Sequence, residues 1–510
     1  MSEFTNQNIK KLKPYSPPLE GRRQYKGMLL DFNERTLPPS EKVEKALKNF
    51  IKEKKLQVYP EYSDIEAKIA AYSGVDEKEV MITNGSDQGI ELIFRTFTSE
   101  GGKVVIPSPS FAMFYQCAGV IGNKVVAPEY KEDFSDEYKA FPLKEVLDSI
   151  DDQTELIVIC NPNNPTGTLI SIEDLESIIK KASNSIVYVD EAYFEFSGIT
   201  AAGLVKKYPN LIVTRTFSKA FGLASLRIGY VLAQEQLLKE MKKVRGPYDI
   251  NMMSVCAAKA SLEDLTSVQN YTKEVMNKAK KKAEDFFNRN QIKFYPSGAN
   301  YILFKPGNRR VFDTLKENGL MLRPRKKGFI RLTIGTTEQV EKFIQFYQET
   351  FLQKYAFLDR DGALIFEPQD DFQIDSIEKL KVLPNVIKGM KRLKKEGFKF
   401  IMISNQDGIG TESFPKEDFE KPQQKFLEIL KRNGLEFEEI FVCPHKPEDN
   451  CNCRKPKTGL VDEFLKKNMG KIDMKNSFMY GDRDSDKQFA ENLNLKFIKA
   501  KTNGKFNLEN

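Results

Sequence analysis

Two stretches of this chain carry residues that could make or break covalent bonds. The first is RTFSKAFGLASLRIGY (Arg215–Tyr230), in which an apolar run ends at the hydroxyl-rich turn Thr216-Phe217-Ser218. Lys219 stands directly behind that turn and Arg227 follows eight residues later. A primary amine among small residues suits a carbonyl-bearing, phosphorylated cofactor. The amine can form a Schiff base while Thr216, Ser218 and Arg227 hold a phosphate dianion. Taken alone, a lysine after a strand is more often solvated surface. The second stretch is YAFLDRDGALI (Tyr355–Ile365), where Asp359 and Asp361 lie two residues apart at a strand end. Such a pair, followed by a turn glycine, can chelate a hard cation, although charged turns after strands are common.

A third stretch, CPHKPEDNCNC (Cys443–Cys453), gathers Cys443, His445, Cys451 and Cys453 within eleven residues. Three thiolates and one imidazole suit a tetrahedral Zn²⁺ with no open position. The loop contains the only histidine of the chain, so its role is structural, and mechanisms that require several histidines are excluded.

These groups need elements to position them. VMIT runs into Asn84-Gly85-Ser86-Asp87 and then an amphipathic helical pattern with Ile90, Ile93, Phe94 and Phe97 on one face. A turn that opens a helix offers free amides and a positive dipole end to an anion, though the same pattern serves an ordinary capped helix. KVVIPSPSF ends in Phe111, ELIVICNPNNPTG presents Asn164 between prolines, and SIVYVDEAYFEF places Asp190 and Tyr193 at a strand end. Strands with polar turns at their carboxyl ends, separated by helical patterns, indicate an α/β doubly wound sheet with its site along that edge. Further on, FKFIMISNQ ends in Ser404-Asn405, RKPK supplies Arg454 and Lys455, and SFMYGDRDSD ends a strand in Asp482. Thr336 and Gln339 have capping-box spacing before a helical pattern that runs into YAFLD without a Gly or Pro spacer. That places a boundary near residue 353, between domains 1–353 and 354–510.

NPNNPTG, VDEAYFEF, RTFSKAFGLASLRIGY and LRPRKKGFIRLTIGT (Leu322–Thr336) together resemble the fold-type I aminotransferases and, more narrowly, the histidinol-phosphate aminotransferases. The resemblance implies a large mixed, mostly parallel sheet with a small C-terminal α/β subdomain, pyridoxal 5'-phosphate on Lys219, and a homodimer. It implies that Asp190 faces the ring nitrogen and that Asn164 and Tyr193 bond the ring oxygen. Phe111 would stack where the family has a tyrosine. Ser86, Asp87, Thr216, Ser218 and Arg227 would bind the cofactor phosphate, joined by Tyr59 from the other subunit. Arg323 and Arg331 would receive anionic groups of the substrates.

Residues 354–510 resemble phosphatases of the haloacid dehalogenase superfamily, a HAD-like Rossmannoid fold. The loop at 443–453, Phe366–Asp375 and Ser404–Phe414 narrow this to the histidinol-phosphatases. The resemblance makes Asp359 the nucleophile and Asp361 the acid and base. Ser404, Asn405, Arg454 and Lys455 would serve the substrate. Asp359, Asp361 and Asp482 would bind Mg²⁺, with Zn²⁺ in the loop. The two parts imply a bifunctional enzyme of histidine biosynthesis. One would move an amino group from L-glutamate to imidazole acetol phosphate; the other would hydrolyse the resulting L-histidinol phosphate. The alternatives are an aromatic amino acid transaminase fused to a heptose-bisphosphate type sugar phosphatase, and a cofactor-binding regulator.

Composition agrees. The 510 residues are 40% hydrophobic, and 79 basic against 72 acidic residues give a net charge of +7 that is diffuse. It suits anionic small substrates and does not argue for nucleic acid. No apolar run reaches membrane-spanning length, the N-terminal segment has no apolar signal core, and six cysteines make no disulfide framework. A cytoplasmic protein is the expectation.

Overall fold

The apolar runs of the first part become one seven-stranded sheet in the computed structural model, which describes residues 4–62, 64–308 and 310–508. Its strands are β1 (Val80–Thr83), β2 (Lys103–Val105), β3 (Lys124–Val126), β4 (Thr154–Cys160), β5 (Ile186–Asp190), β6 (Leu211–Thr216) and β7 (Gly229–Ala233). Their spatial order is β1-β7-β6-β5-β4-β2-β3. Only β7 runs against its neighbours, β1 and β6; the other pairs are parallel. The strand β4, TELIVIC, is buried at all but one position. A strand covered on both faces needs apolar side chains on both, which is why it reads as an unbroken run. Met81, Phe94, Val158, Tyr188 and Ile212 meet in the core on one side. Because β7 reverses twice, the carboxyl ends of β1, β4, β5 and β6 share one edge, and each ends in one of the polar turns noted above.

One buried ion pair underlies that edge. Arg215, in β6, donates from Nε to Glu191 at 2.9 Å, with side-chain exposures of 2% and 0%. Its Nη2 reaches Thr200 Oγ1 at 2.5 Å and its guanidinium lies 3.5 Å from the Phe194 ring centroid. Arg215→Met strands Glu191 without its cation. It should cost about 3–5 kcal/mol, read as a lowered denaturant midpoint of the transition that loses cofactor-site fluorescence.

A smaller antiparallel sheet follows, with strands β8 (Lys293–Tyr295), β9 (Tyr301–Lys305), β10 (Arg323–Pro324) and β11 (Ile330–Thr333) in the order β10-β11-β9-β8. The helix Thr337–Phe351 comes next. Thr336 N donates to Gln339 Oε1 at 2.9 Å and Gln339 N to Thr336 Oγ1 at 3.3 Å, both halves of the capping box.

The last sheet has five parallel strands: β12 (Lys354–Leu358), β13 (Phe398–Asn405), β14 (Glu439–Cys443), β15 (Phe478–Gly481) and β16 (Lys496–Lys499), in the order β14-β13-β12-β15-β16. Along β12, Ala356 and Leu358 enter one core while Tyr355 and Phe357 enter the other. The strand order reverses at β12, which opens a crevice at the carboxyl ends of β12, β13 and β15. By contacts the chain forms two units. One runs to Asp285 and resumes over Lys293–Ile344; the other holds Phe286–Ile292 and begins again at Gln345. Among the described residues no helix is long and apolar enough to cross a membrane.

Candidate active sites

Lys219 leaves β6 through the turn at 216–218. Its amine donates to the Phe32 carbonyl at 2.8 Å and lies 5.7 Å from the Tyr193 ring centroid. Burial, with Arg331 nearby, lowers its pKa to about 8. A neutral, nucleophilic amine is therefore within reach at physiological pH. Asp190 ends β5 and accepts from Ala192 N at 2.9 Å and from the Tyr188 hydroxyl at 3.2 Å. Burial pushes its pKa up to about 6, which poises it to share a proton with a basic nitrogen set against it. Asn33 Nδ2 donates to the Tyr193 hydroxyl at 2.9 Å. Arg331, 3% exposed on β11, donates from Nη1 to Asn164 Oδ1 at 2.5 Å and from Nη2 to the Asp31 carbonyl at 2.7 Å. Arg323 places its guanidinium 4.9 Å from the Phe32 ring centroid. The stretch Asp31-Phe32-Asn33 thus gathers Arg331, Lys219 and Tyr193, although its spacing in the sequence carries no such role.

A place suited to an anion lies where the helix Gly85–Phe97 begins, with Ser86 and Asp87 in its first turn. First-turn amides have no partner inside a helix and sit at the positive end of its dipole. Arg227 donates to Asp87 Oδ2 at 2.8 Å and to Ser218 Oγ at 3.4 Å, while Ser218 N donates to Thr216 Oγ1 at 3.1 Å. Gly229, the register partner of Thr216, comes so near that a Cβ there would stand 2.7 Å from Ser86 N. Phe111 caps the helix Ala112–Ile121 beside the Asn163-Asn164 turn, to which Ser110 is bonded at 2.8 Å. Tyr59 is 73% exposed and stacks on Tyr248 at 4.6 Å, with no hydrogen bond to Ser86, Asp87, Ser218 or Arg227 among the described residues.

At the second edge, Asp359, Asp482 and Asp486 bring carboxylate oxygens within 4.8 Å of one another. Lys455 reaches in among them, with Nζ 2.7 Å from Asp359 Oδ1, 2.6 Å from Asp486 Oδ1 and 2.9 Å from the Ile403 carbonyl. Burial alone would lower the Lys455 amine, but the two carboxylates outweigh it and hold its pKa above the usual value. Burial and the charge of Asp486 raise Asp359. Three buried carboxylates facing one ammonium leave an excess of negative charge, which a divalent cation would relieve. Gly362 takes φ +70°, and a Cβ there would stand 2.6 Å from Asp482 Oδ2, so only glycine lets the turn approach this carboxylate.

Asp361 accepts from Gln406 Nε2, which also donates to Ser404 Oγ at 2.7 Å, and from Arg360 at 3.2 Å. Asn405 is engaged with the Lys455 backbone: Lys455 N donates to its Oδ1 at 3.0 Å and its Nδ2 donates to Lys455 O at 3.2 Å. Arg454 pairs with Asp407 and with the His445 carbonyl at 2.9 Å. Both residues expected at the substrate thus spend their side chains holding loops.

The ligand atoms of Cys443, His445, Cys451 and Cys453 also lie within 4.8 Å of one another. Cys443 Sγ is 3.7 Å from Cys451 Sγ and 3.3 Å from Cys453 Sγ, and His445 Nδ1 is 3.2 Å from Cys453 Sγ. A tetrahedron with arms of about 2.3 Å has edges of about 3.7 Å, so the four donors need only small adjustments to enclose a zinc-sized ion.

Residues 25–346 match the family described as aminotransferase class I and II. The chain belongs to that family. A histidinol-phosphate aminotransferase of Ruminiclostridium cellulolyticum is 33% identical over 350 residues, 66% of this chain and 96% of that protein. The crystal structure of the histidinol-phosphate aminotransferase of Sinorhizobium meliloti, in complex with pyridoxal-5'-phosphate, covers 68% of this chain and 96% of its own, with a TM-score of 0.61 at 22% identity. The N-terminal part therefore has aminotransferase fold type I. Residues 354–502 match the family described as polynucleotide kinase 3 phosphatase. The histidine biosynthesis bifunctional protein HisB of Campylobacter jejuni is 52% identical over 147 residues, 29% of this chain and 41% of that protein.

Pyridoxal 5'-phosphate is the cofactor of this aminotransferase family, and the residues present fit it. A buried amine, a buried carboxyl, the Tyr193 hydroxyl with the Asn164 amide, and a guanidinium with helix-terminal amides supply partners for the aldehyde, ring nitrogen, ring oxygen and phosphate of that molecule. Sequence reasoning missed Asp486 and Gln406. Asp486 stands four residues after Asp482 in GDRDSD, and Gln406 completes SNQ, so both lay within the same motifs as residues already singled out. Neither declares its bonding partner without the fold.

Proposed function

We propose that this chain carries two activities of histidine biosynthesis, an aminotransferase acting on imidazole acetol phosphate and L-glutamate, and a phosphatase that hydrolyses the L-histidinol phosphate formed. The observation that supports it best is the pairing of likenesses. A likeness to a histidinol-phosphate aminotransferase, 33% identical over 96% of that protein, precedes a 52% identical match to part of HisB, so that the product of one part would be the substrate of the other. The proposed division is 1–353 and 354–510, and the proposed setting is the cytoplasm.

Pyridoxal phosphate, when bound, supplies a carbonyl for amines and a ring that accepts the electron pair released at the substrate carbon. Lys219 would hold it covalently and, once displaced by substrate, carry the proton between Cα and C4′. Asp190 would keep a proton on the ring nitrogen, while Asn164 and Tyr193 would bond the ring oxygen and Phe111 would pack on the ring. Ser86, Asp87, Thr216, Ser218 and Arg227 would hold the phosphate, with Tyr59 of the partner subunit in a homodimer. Arg331 would take the α-carboxylate of glutamate in a forked pair.

The second part would act as a phosphatase of the haloacid dehalogenase kind. Asp359 would attack phosphorus and carry the phosphoryl group as an acyl phosphate, and Asp361 would protonate the departing alkoxide. Asp361 would then take a proton from the water that frees the phosphate. Ser404 and Lys455 would steady the phosphoryl oxygens, with Mg²⁺ held by Asp359, the Asp361 carbonyl, Asp482 and Asp486. Gln406 would position Asp361, and Asn405 would position Lys455. Zn²⁺ held by Cys443, His445, Cys451 and Cys453 would order the loop that carries Arg454 and Lys455. Titrating those thiols with an organomercurial is expected to release zinc stoichiometrically and to abolish phosphate release while transamination persists. Release of no zinc would remove that assignment.

The deciding experiment incubates the protein with L-glutamate and imidazole acetol phosphate, with and without Mg²⁺. L-Histidinol is expected with the metal and L-histidinol phosphate without it. Activity confined to aromatic oxo acids and heptose bisphosphate would overturn the reading.

A further inference from the structure

In the N-terminal unit several arginines of limited exposure are paired with carboxylates: Arg22 with Asp31 and Glu34, Arg215 with Glu191, Arg245 with Asp249. Arg35 has neutral partners instead, the Ala220 carbonyl at 3.0 Å and Ser267 Oγ at 3.3 Å. Three others stand together without a carboxylate. Arg323, Arg325 and Arg331 form no ion pair with a carboxylate among the described residues, and all belong to one hairpin. Arg323 lies opposite Arg331 in the register of β10 and β11, and Arg325 N extends the ladder to the Phe329 carbonyl at 2.8 Å. Arg325 is two residues from Arg323, hence on the same side of the extended chain. Its Nε and that of Arg331 are buried with no hydrogen-bond partner.

Like charges placed across a ladder repel one another, and an unmade bond to a buried cation is costly. Burial, then Arg331 and Arg323, push Arg325 down to about 9, while the phenols of Tyr15 and Tyr193 act the other way. Tyr193 belongs to the Lys219 site, and Phe32, beneath Arg323, carries the carbonyl that holds the Lys219 amine. The cluster therefore faces the reacting centre. Each of the two carboxylates of glutamate carries one charge and two oxygens and is satisfied by a single guanidinium fork, which Arg331 and Arg323 can supply between them. A phosphomonoester brings close to two charges and three outer oxygens, and it reaches further from the reacting carbon.

We infer that Arg325 is a specificity-determining residue that, beside Arg323, receives the phosphate of the amino acceptor and is idle when glutamate occupies the site. This rests on the proposed phosphorylated acceptor. Arg325→Gln is expected to raise KM for imidazole acetol phosphate about 10–100-fold, the size of a lost charge-assisted contact, while KM for glutamate and kcat hold. Inhibition of the glutamate half-reaction by inorganic phosphate should weaken in parallel. Arg325→Lys, which keeps the charge and loses the fork, should recover part of both. An unchanged KM for the phosphorylated ketone would overturn the inference, and so would an equal rise for glutamate or loss of the glutamate half-reaction. Should wild-type protein fail to use imidazole acetol phosphate, the proposed function falls, while the phosphate competition, run in wild type and Arg325→Gln, still reports on Arg325.

Discussion

Alanine at position 219 is expected to reduce transamination by at least about 10³-fold, because in the proposed mechanism one side chain supplies both the covalent tether and the proton carrier, and general acid–base catalysis alone is worth about 10²–10⁴. Phosphate release should be untouched, since it depends on residues of the other unit. Borohydride treatment should leave cofactor covalently attached to the wild-type chain and not to Lys219→Ala. The amine also predicts a pH dependence. Burial and Arg331 place its pKa at about 8, below the ordinary lysine value, so the neutral form grows as pH rises towards that point and saturates above it. Capture of added cofactor by stripped wild-type protein should therefore accelerate from pH 7 and level off beyond about 8. A rate that kept climbing to pH 10 would mean an amine neither buried nor near Arg331.

Asparagine at position 359 is expected to remove phosphate release by about 10⁴-fold or more, the scale seen when a nucleophile is deleted from a unit that acts together. Transamination should continue at the wild-type rate, and L-histidinol phosphate should accumulate from glutamate and imidazole acetol phosphate. The substitution is a fair test because it should not unfold the site. Asp359 and Asp486 share the single ammonium of Lys455, and removing one of two mutually repelling carboxylates leaves Lys455 paired with the other. Asp361→Asn makes a useful contrast. It keeps the proposed nucleophile and loses the proposed proton donor, so it should retain more activity on an aryl phosphate, whose leaving group needs no proton, than on the alkyl phosphate. Equal losses on both substrates would count against the division of labour between the two carboxyls.

The groups proposed to react stand out in the sequence because each comes at the end of an apolar run: Lys219 after LIVTRTFS, Asp190 after SIVYV, Asp359 after YAFL. The sites around them were only partly legible. Asp486 was passed over beside Asp482, Gln406 beside Asn405, and Arg325 beside Arg323, each a polar neighbour whose side chain could equally have faced water. Asn405 and Arg454 are expected at the substrate from the sequence, and only the structure shows that their side chains also bond the Lys455 backbone and Asp407.

What the amino-acid order determined by itself was local. Unbroken apolar runs made strands covered on both faces, prolines and glycines ended them, and the reactive side chain sat in the turn that followed. Tertiary structure decided which turns converge. Asp31 and Asn33 meet Arg331 and Thr333 across 300 residues, and Lys455 crosses 96 residues to reach Asp359. It also decided how those groups ionise, since the amine of Lys219 and the carboxyl of Asp190 owe their shifted pKa values chiefly to burial. Strand formation follows from neighbours in the chain, but register and desolvation exist only once distant segments have packed together.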